Sequence, residues 1–392
     1  MAEYYPRAAD PTSGVWAHRQ AMAARDAGAD VRVLVLHRPL PTLADLRARR
    51  VSAIGEALRQ PPAAELDGLR IEYLRYLSPP RPWSYASWGA WAAPLLARAL
   101  TRLAPVFAFD LVHAHYAVPA GDAVRRAAPA APLIVSVHGG DVHGGHAGAR
   151  TVAATLGHAR MVLANSAGTA RRCVQRGARA TRVVHLGTDL PAAAAGAAGA
   201  AGATGATGAA PPTLVTVGHL IARKRQADVI EALALLRDRH PALRYEIVGD
   251  GPDRESLRAL AAARGVADRV RLRGRLAHDD AVAAGRAATL FVLPSVAEAF
   301  GVSYVEAMAA GVPAIGCRGE DGPEEIAAAG GGIELVAPGD VPALAATIDA
   351  LLSDPPRRAA LGAAARETVA RHFTWQRCGT ETVAAYREVL GG

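Results

Sequence analysis

The chain has 392 residues, 51% of them hydrophobic, and a formal net charge of +8. That length suits two domains of about 150–200 residues, each able to bury a large core. The three cysteines, Cys173, Cys317 and Cys378, are far apart and form no C-x-x-C, which argues against a disulfide framework or a zinc site and for a reducing, cytoplasmic setting.

The charge is uneven. Residues 1–190 hold 23 arginines, no lysine and 13 acidic residues, a net of +10, whereas the rest of the chain nets −2. The first half is therefore expected to face something anionic, such as a membrane surface, a lipid phosphate or an acidic glycan; solvated surface arginines give the same count. No basic stretch with interleaved aromatics marks nucleic acid as a partner. Residues 1–11 lack the apolar run of a signal peptide, and no stretch reads as a membrane span.

In chain order, Met-Ala-Glu-Tyr-Tyr-Pro already reads as a loop. A doubly wound domain opens with an apolar strand that lies mid-sheet, so a central strand of about 5–6 residues is expected to lie upstream or to be missing. Gly14 to Gly28 reads as a helix and Val31–Leu36 as a strand, while His37 to Pro80 has no clean pattern. Trp83, Tyr85, Trp88 and Trp91 place three of the five tryptophans beside Arg75 and Arg81, ahead of a helical pattern from Ser87 to Leu103. Aromatic and basic residues together suit a membrane interface; alternatively Trp88 and Trp91 are core residues of an ordinary helix. Leu111–Val112, Leu133–Val137, Met161–Ala164 and Val183–Val184 read as further strands.

Ala192 to Ala210, with glycine at every third residue from Gly196 to Gly208, reads as a flexible linker between Pro191 and Pro211-Pro212. It divides a first domain, 1–190, from a second, 213–372. The second half alternates clearly: strands Leu214–Val217, Arg244–Val248, Val270–Arg273, Leu290–Leu293, Pro313–Ile315 and Gly332–Val336, with helical patterns at Gln226–Arg239, Asp253–Arg264, Asp279–Arg286, Val302–Ala310, Pro323–Ala328 and Val341–Ser353. Such alternation predicts a parallel doubly wound sheet, with ligands at the carboxyl ends of its strands. Glycines fall at those ends: Gly218, Gly249, Gly251 and Gly274. A last helical pattern follows Phe373 and runs to Leu390.

The most informative stretch is Glu298-Ala-Phe-Gly-Val-Ser-Tyr-Val-Glu306, running on to Gly311-Val-Pro313. Two carboxylates stand eight residues apart across a turn that ends one strand and opens a helix. Read alone, this is a surface helix with two solvated glutamates. In a strand–turn–helix setting, the carboxylates can accept sugar hydroxyls while the first amides of the helix hold a phosphate. The only lysine of the chain, Lys224, lies six residues after Gly218 in Val-Gly-His-Leu-Ile-Ala-Arg-Lys-Arg. In the first half, His138-Gly139-Gly140-Asp141 follows a buried-looking strand, and Asp110-Leu-Val-His113-Ala-His115 precedes it. His113 and His115 share one strand face, but no third metal ligand is evident.

These stretches resemble glycosyltransferase family 4, the retaining enzymes of GT-B fold, and the match runs from about Gly14 to Leu390. The resemblance implies two Rossmann-like domains facing across a cleft, with the last helix, 373–392, returning to the first. It makes Glu298 the contact to the donor sugar and Glu306 the holder of the ribose hydroxyls. It gives Phe300 and Gly301 backbone amides near sugar or phosphate, Tyr304 a place in the core, Lys224 the diphosphate, and Gly274 the nucleobase. His138 would reach the transferred sugar, and Gly14, in Pro11-Thr-Ser-Gly-Val, would lie against the diphosphate. The family pattern Arg-Leu then Lys-Gly is here His219-Leu and Lys224-Arg225; Arg223 is our own candidate for the missing charge. Asn165-Ser166 and His185-Leu-Gly-Thr-Asp189 complete the match, with Leu186 a departure. The implied reaction moves a sugar from a UDP- or GDP-sugar to a glycan or lipid-linked acceptor of the cell envelope, without metal or other cofactor; docking on the inner face of the membrane is an expectation from the aromatic and basic cluster alone. A sugar-nucleotide epimerase or hydrolase, or a non-catalytic protein of the same fold, stays open at this point.

Overall fold

The computed structural model describes residues 1–40, 58–81, 84–143, 148–191 and 210–391. They fall into two compact units: Met1–Leu186 with Trp375–Gly392, and Gly187–Thr374. Most of the Ala/Gly tract, 192–209, and Trp83 lie outside the described residues.

In the first unit the strands are β1 (Arg32–His37), β2 (Ala63–Leu66), β3 (Leu69–Arg75), β4 (Val112–His115), β5 (Leu133–Val137), β6 (Met161–Ala164) and β7 (Thr181–Val183). The order β4-β5-β6-β7 is parallel throughout, and β5 and β6 are buried along their whole length. That is why they read as unbroken apolar runs: helices cover both faces of such a sheet. The other three strands are ordered β1-β3-β2, with β2 and β3 an antiparallel hairpin turning at Asp67-Gly68, both in the left-handed region. This hairpin lies in the stretch where the sequence shows no clean pattern.

Met1 and Ala2 run between the two sheets. Ala2 donates to the Leu34 carbonyl (3.1 Å) and accepts from Leu36 (2.8 Å). On its other side, the Met1 amino group donates to the His113 carbonyl (2.7 Å) and its carbonyl accepts from His115 (2.8 Å). Ala2 thus makes one isolated parallel bridge, to Val35, within the otherwise irregular first residues. Helix Trp375–Leu390 belongs to this unit and packs on helix Val15–Asp26, where Gly379 meets the Ala23 carbonyl so closely that a Cβ would clash.

The second unit has one six-stranded parallel sheet: β8 (Thr213–Val217), β9 (Arg244–Val248), β10 (Val270–Gly274), β11 (Leu290–Val292), β12 (Ala314–Cys317) and β13 (Ile333–Val336), ordered β10-β9-β8-β11-β12-β13. The order reverses between β8 and β11, the switch point at which such sheets bind ligands. Its core joins Leu214, Ile247, Leu290, Val292 and Ile315 to helix residues such as Ile230, Leu233 and Ile348. One long helix, Pro355–His372, has no counterpart in the sequence reading. Among the described residues no helix is long and apolar enough to cross a membrane.

Candidate functional site

In the second unit, the loops after β8 and β11 bring Lys224, Arg223 and Glu298 together. Glu298 is buried, at 7% exposure. Its Oε2 accepts from Lys224 Nζ at 2.5 Å and from Ser295 Oγ at 2.8 Å, with Arg223 Nη1 at 3.9 Å. Burial pushes this carboxyl up, but the Lys224 ammonium, the two hydrogen bonds and Arg223 outweigh it, so it stays below the usual carboxylate range. Both hydrogen-bond donors and the Arg223 charge converge on Oε2, which leaves the lone pairs of Oε1 for another donor, such as a hydroxyl. The backbone of Glu298 is clamped on both sides: its N–H donates to Glu320 Oε2 (2.9 Å), and its carbonyl accepts from Gly322 (3.1 Å).

Gly218, Gly249 and Gly274 lie at neighbouring strand ends. A Cβ on Gly249 would clash with the Gly218 carbonyl, the Gly249 N–H donates to Gly274 at 2.9 Å, and a Cβ on Gly218 would touch the Lys224 stem. Gly301 caps helix Val302–Met308 at φ 85°, and any side chain there would run into the Tyr304 ring. Tyr304 is fully buried, as expected, and donates to the Leu293 carbonyl. The Phe300 ring is also buried, edge-on to Phe373 at 5.4 Å, so this residue offers a site only its backbone. Glu306 has a different neighbour: its Oε1 is 3.8 Å from His278 Nε2, and its carbonyl accepts from Arg286.

The two departures near Lys224 have physical accounts. Arg225 sits at φ 54°, in the left-handed region where glycine is at ease, and its guanidinium is turned to Asp228 at 2.7 Å. His219 is exposed, and its carbonyl accepts from Gln226. Ser295, Glu320 and His278 were not singled out from sequence. Ser295 stands three residues before Glu298, a spacing that could have been noticed; Glu320 and His278 come from distant segments and carry no local signal.

In the first unit, Gly14 caps helix Val15–Asp26 at φ 64°, where a Cβ would collide with the Tyr4 carbonyl. His138 follows β5 and its Nε2 is 3.0 Å from His115 Nδ1, the two rings stacked at 5.3 Å. His115 stacks in turn on His113, whose two nitrogens are bonded to the hydroxyls of Tyr386 (2.7 Å) and Ser136 (2.8 Å). Burial lowers His138 to about 4, His113 to about 3 and His115 well below its ordinary value, so all three are neutral imidazoles. The strand pair His113 and His115 thus builds a stack behind His138. Asp141 accepts from the Ala117 N–H (3.0 Å), and burial pushes it up to about 7 against the opposing backbone hydrogen bonds. Among the described residues, His138 Nδ1 and Asp141 Oδ2 are buried with no partner. Ser166 serves its own helix, capping Ala167–Gln175 by accepting from the Thr169 N–H.

Two Rossmann-like units, with glycine-bearing strand ends around a Lys–Glu pair, define a protein of the GT-B class. The family model described as Glycosyl transferases group 1 matches residues 206–368, and the one described as Glycosyltransferase Family 4 matches residues 13–191. Between them the two glycosyltransferase models match most of the chain, each of them less than half of it.

Among its relatives is a GDP-mannose-dependent alpha-(1-6)-phosphatidylinositol monomannoside mannosyltransferase of Mycobacterium tuberculosis, 36% identical over 171 residues, covering 42% of this chain and 44% of that one. Another is a 2-deoxystreptamine glucosyltransferase of Streptomyces kanamyceticus, 34% identical over 180 residues and 46% of each chain. The chain spans less than half the length of these relatives. Among solved structures, sucrose-phosphate synthase of Thermosynechococcus elongatus has a TM-score of 0.75 at 22% identity, covering 96% of this chain and 93% of that one. Anabaena HepE in complex with UDP and glucose has a TM-score of 0.68 at 20% identity, covering 95% of each. At these identities the structural likeness shows the fold.

Proposed function

We propose that the protein is a retaining, metal-independent glycosyltransferase that moves a hexose from a UDP- or GDP-sugar to a glycan or lipid-linked acceptor of the cell envelope. The observation that carries this reading is the buried Glu298 carboxylate, charged by Lys224 and Ser295 on one oxygen and available on the other. In this reading Glu298 Oε1 accepts a hydroxyl of the donor sugar. Lys224 exchanges its Glu298 contact for the leaving diphosphate, with Arg223 beside it, and fixed positive charge there lowers the barrier to departure. These two cations supply the charge for which other sites use a metal ion. Glu306 takes the ribose hydroxyls, the amides of Phe300 and Gly301 the sugar or phosphate, and Gly218 and Gly274 let the backbone approach the nucleotide. In the first unit, His138 is assigned to the transferred sugar and Gly14 to the diphosphate. Relatives named as GDP-mannose- and glucose-transferring enzymes support a hexose donor.

A thermal-shift panel of UDP, GDP, ADP and their sugar conjugates, with and without magnesium, tests this. One nucleotide is expected to stabilise the protein selectively without metal, and Lys224→Ala is expected to lose that shift. No stabilisation by any of them points to a non-catalytic protein of this fold. Donor turnover with no acceptor points to an epimerase or hydrolase.

The two tryptophans of helix Trp88–Leu103 part ways. Trp88 is buried, with its indole N–H on Pro79 and Ser84. Trp91 is 53% exposed and shares its outer face with exposed Pro94, Leu95 and Arg98. An exposed indole and leucine beside a cation suit the headgroup layer of an anionic membrane, and we assign this face to peripheral docking. Trp91→Glu with Leu95→Glu is expected to abolish co-sedimentation with anionic vesicles while leaving the nucleotide shift intact. Equal sedimentation of the wild-type protein with neutral and anionic vesicles would remove this part of the reading.

A further inference from the structure

In the second unit His278 opens helix His278–Arg286, a short loop after Gly274 at the end of β10. With the sheet ordered β10-β9-β8-β11, the connection from β10 to β11 has to cross β9 and β8. Gly285 brings the helix down onto the strands: a Cβ there would lie 3.8 Å from the Val217 side chain of β8 and 3.9 Å from that of Phe291 in β11. The helix therefore covers the switch point between those two strands, and its first residue stands at the carboxyl edge of the sheet, where such folds take ligands. Helix Val302–Met308, which follows β11, starts from the same edge.

The two helices are held together. A Cβ on Gly285 would be 3.7 Å from the Ala307 Cβ, and Arg286 Nε donates to the Glu306 carbonyl at 3.2 Å. Side chains on a helix lean toward its N-terminus, so the Glu306 carboxylate leans to the carboxyl edge and there meets His278. Glu306 Oε1 and His278 Nε2 are 3.8 Å apart, with side-chain exposures of 14% and 39%. That separation is too long for a direct hydrogen bond. It also leaves no room for an atom in line between the two, so a ligand reaches both from the open side. The carboxylate only accepts, whereas the imidazole can donate from Nε2. Two neighbouring hydroxyls match this pair, one donating to Glu306 and the other accepting from His278. A phosphate is repelled by the carboxylate, and among the described residues no third ligand completes a cation site.

We infer that His278 is a specificity-determining residue for the nucleoside: with Glu306 it holds the vicinal hydroxyls of the ribose, one on each side chain, and so selects a ribonucleotide over its deoxy forms. The inference rests on the assignment of Glu306 to the ribose and adds the partner that separates one hydroxyl from the other. Arg286 keeps the Glu306 backbone against the helix that carries His278, which fixes the spacing of the clamp.

The test is a set of calorimetric titrations with UDP, GDP and ADP and with the 2′-deoxy and 3′-deoxy forms of the one that binds best. The proteins are the wild-type chain, His278→Phe, His278→Gln and Glu306→Gln. The wild-type protein is expected to bind each deoxy form about tenfold more weakly than the ribonucleotide, the loss of one net hydrogen bond. His278→Phe is expected to weaken the ribonucleotide by a similar factor and to leave one of the two deoxy forms unchanged. Discrimination at one hydroxyl then disappears while discrimination at the other stays. His278→Gln keeps an N–H donor and is expected to restore part of the lost discrimination. Equal weakening of all three nucleotides by His278→Phe would make His278 a brace for Glu306 and overturn the inference. So would discrimination at both hydroxyls that survives His278→Phe and vanishes in Glu306→Gln, which leaves the ribose to Glu306 alone. Failure of the underlying reading has its own signature: no ribonucleotide binds the wild-type protein, and the inference falls with it.

Discussion

Lys224→Ala is expected to cut turnover of the donor by about 100- to 1000-fold, the loss that follows removal of one fixed charge or donor from a developing anion. It is also expected to cost about 3 kcal/mol of stability, because the buried Glu298 carboxylate loses its nearest cation and keeps only Ser295 at 2.8 Å and Arg223 at 3.9 Å. A loss of activity alone would therefore not separate a catalytic lysine from a structural one. Adding Glu298→Gln does separate them. The neutral amide needs no counter-charge and still accepts from Ser295, so the double variant is expected to regain most of the lost stability. Its turnover is expected to stay at the level of Lys224→Ala or lower, since neither the diphosphate nor the sugar hydroxyl regains its partner. Thermal melts and steady-state rates on the four proteins of this cycle give the result. Activity that returns together with stability would make the pair a structural brace and remove Lys224 from the chemistry.

Much of this site was legible because its residues lie in two short local strings. Glu298 and Glu306 flank one turn, and Lys224 follows Gly218 by six residues, so strand-end logic alone brings them to one edge of the sheet. Glu320 and His278 were not legible, since each reaches its glutamate from another strand–helix unit and only the tertiary fold sets that distance. Phe300 shows a different limit. The resemblance assigns only its backbone amide to the site and says nothing of the ring, which packs on Phe373.

Two fold elements went unread although their local signals were present. Asp67-Gly68 is the dipeptide that favours a two-residue hairpin turn, and the flanking strands alternate in burial through Ala63–Leu66 and from Leu69 to Tyr73; only the first of them, Ala63-Ala-Glu-Leu66, is too poor in large apolar residues to read as a strand by itself. Helix Pro355–His372 opens with Asp354 accepting from Arg357 and proline in the first turn, a recognisable start. Its alanine- and arginine-rich body lacks the apolar stripe that periodicity reading depends on. The isolated bridge of Ala2 could not be read from sequence, because its partner, Val35, is remote in the chain.

Acid is expected to destabilise the first unit through its histidine stack, and Asp141 is expected to act in the opposite sense. A free imidazole takes up a proton below about pH 6.5, so an unfolded chain gains protons there while folded His138 resists until about 4 and His113 until about 3. As pH falls from 6.5 to 4 the unfolded state is favoured, by about 3 kcal/mol for His138 alone. For Asp141 the folded value is about 7 against an ordinary 3.8. The unfolded chain sheds this proton above pH 4 while the folded one keeps it, so stability is lost as pH rises from about 4 to 7 and is level above that. Asp141→Asn keeps an acceptor for the Ala117 N–H and removes the titration. Its Tm relative to the wild-type protein is therefore expected to match near pH 4 and to climb steadily to pH 7, by an amount equivalent to about 4 kcal/mol at most. His138→Gln is expected to flatten the acid limb by one proton's worth of slope and leave the neutral limb alone. Denaturation midpoints from pH 4 to 8 for the three proteins decide the matter. Parallel curves would mean that Asp141 and His138 are open to water in the folded state, and that the neutral imidazole assigned to the transferred sugar is in fact a titrating one.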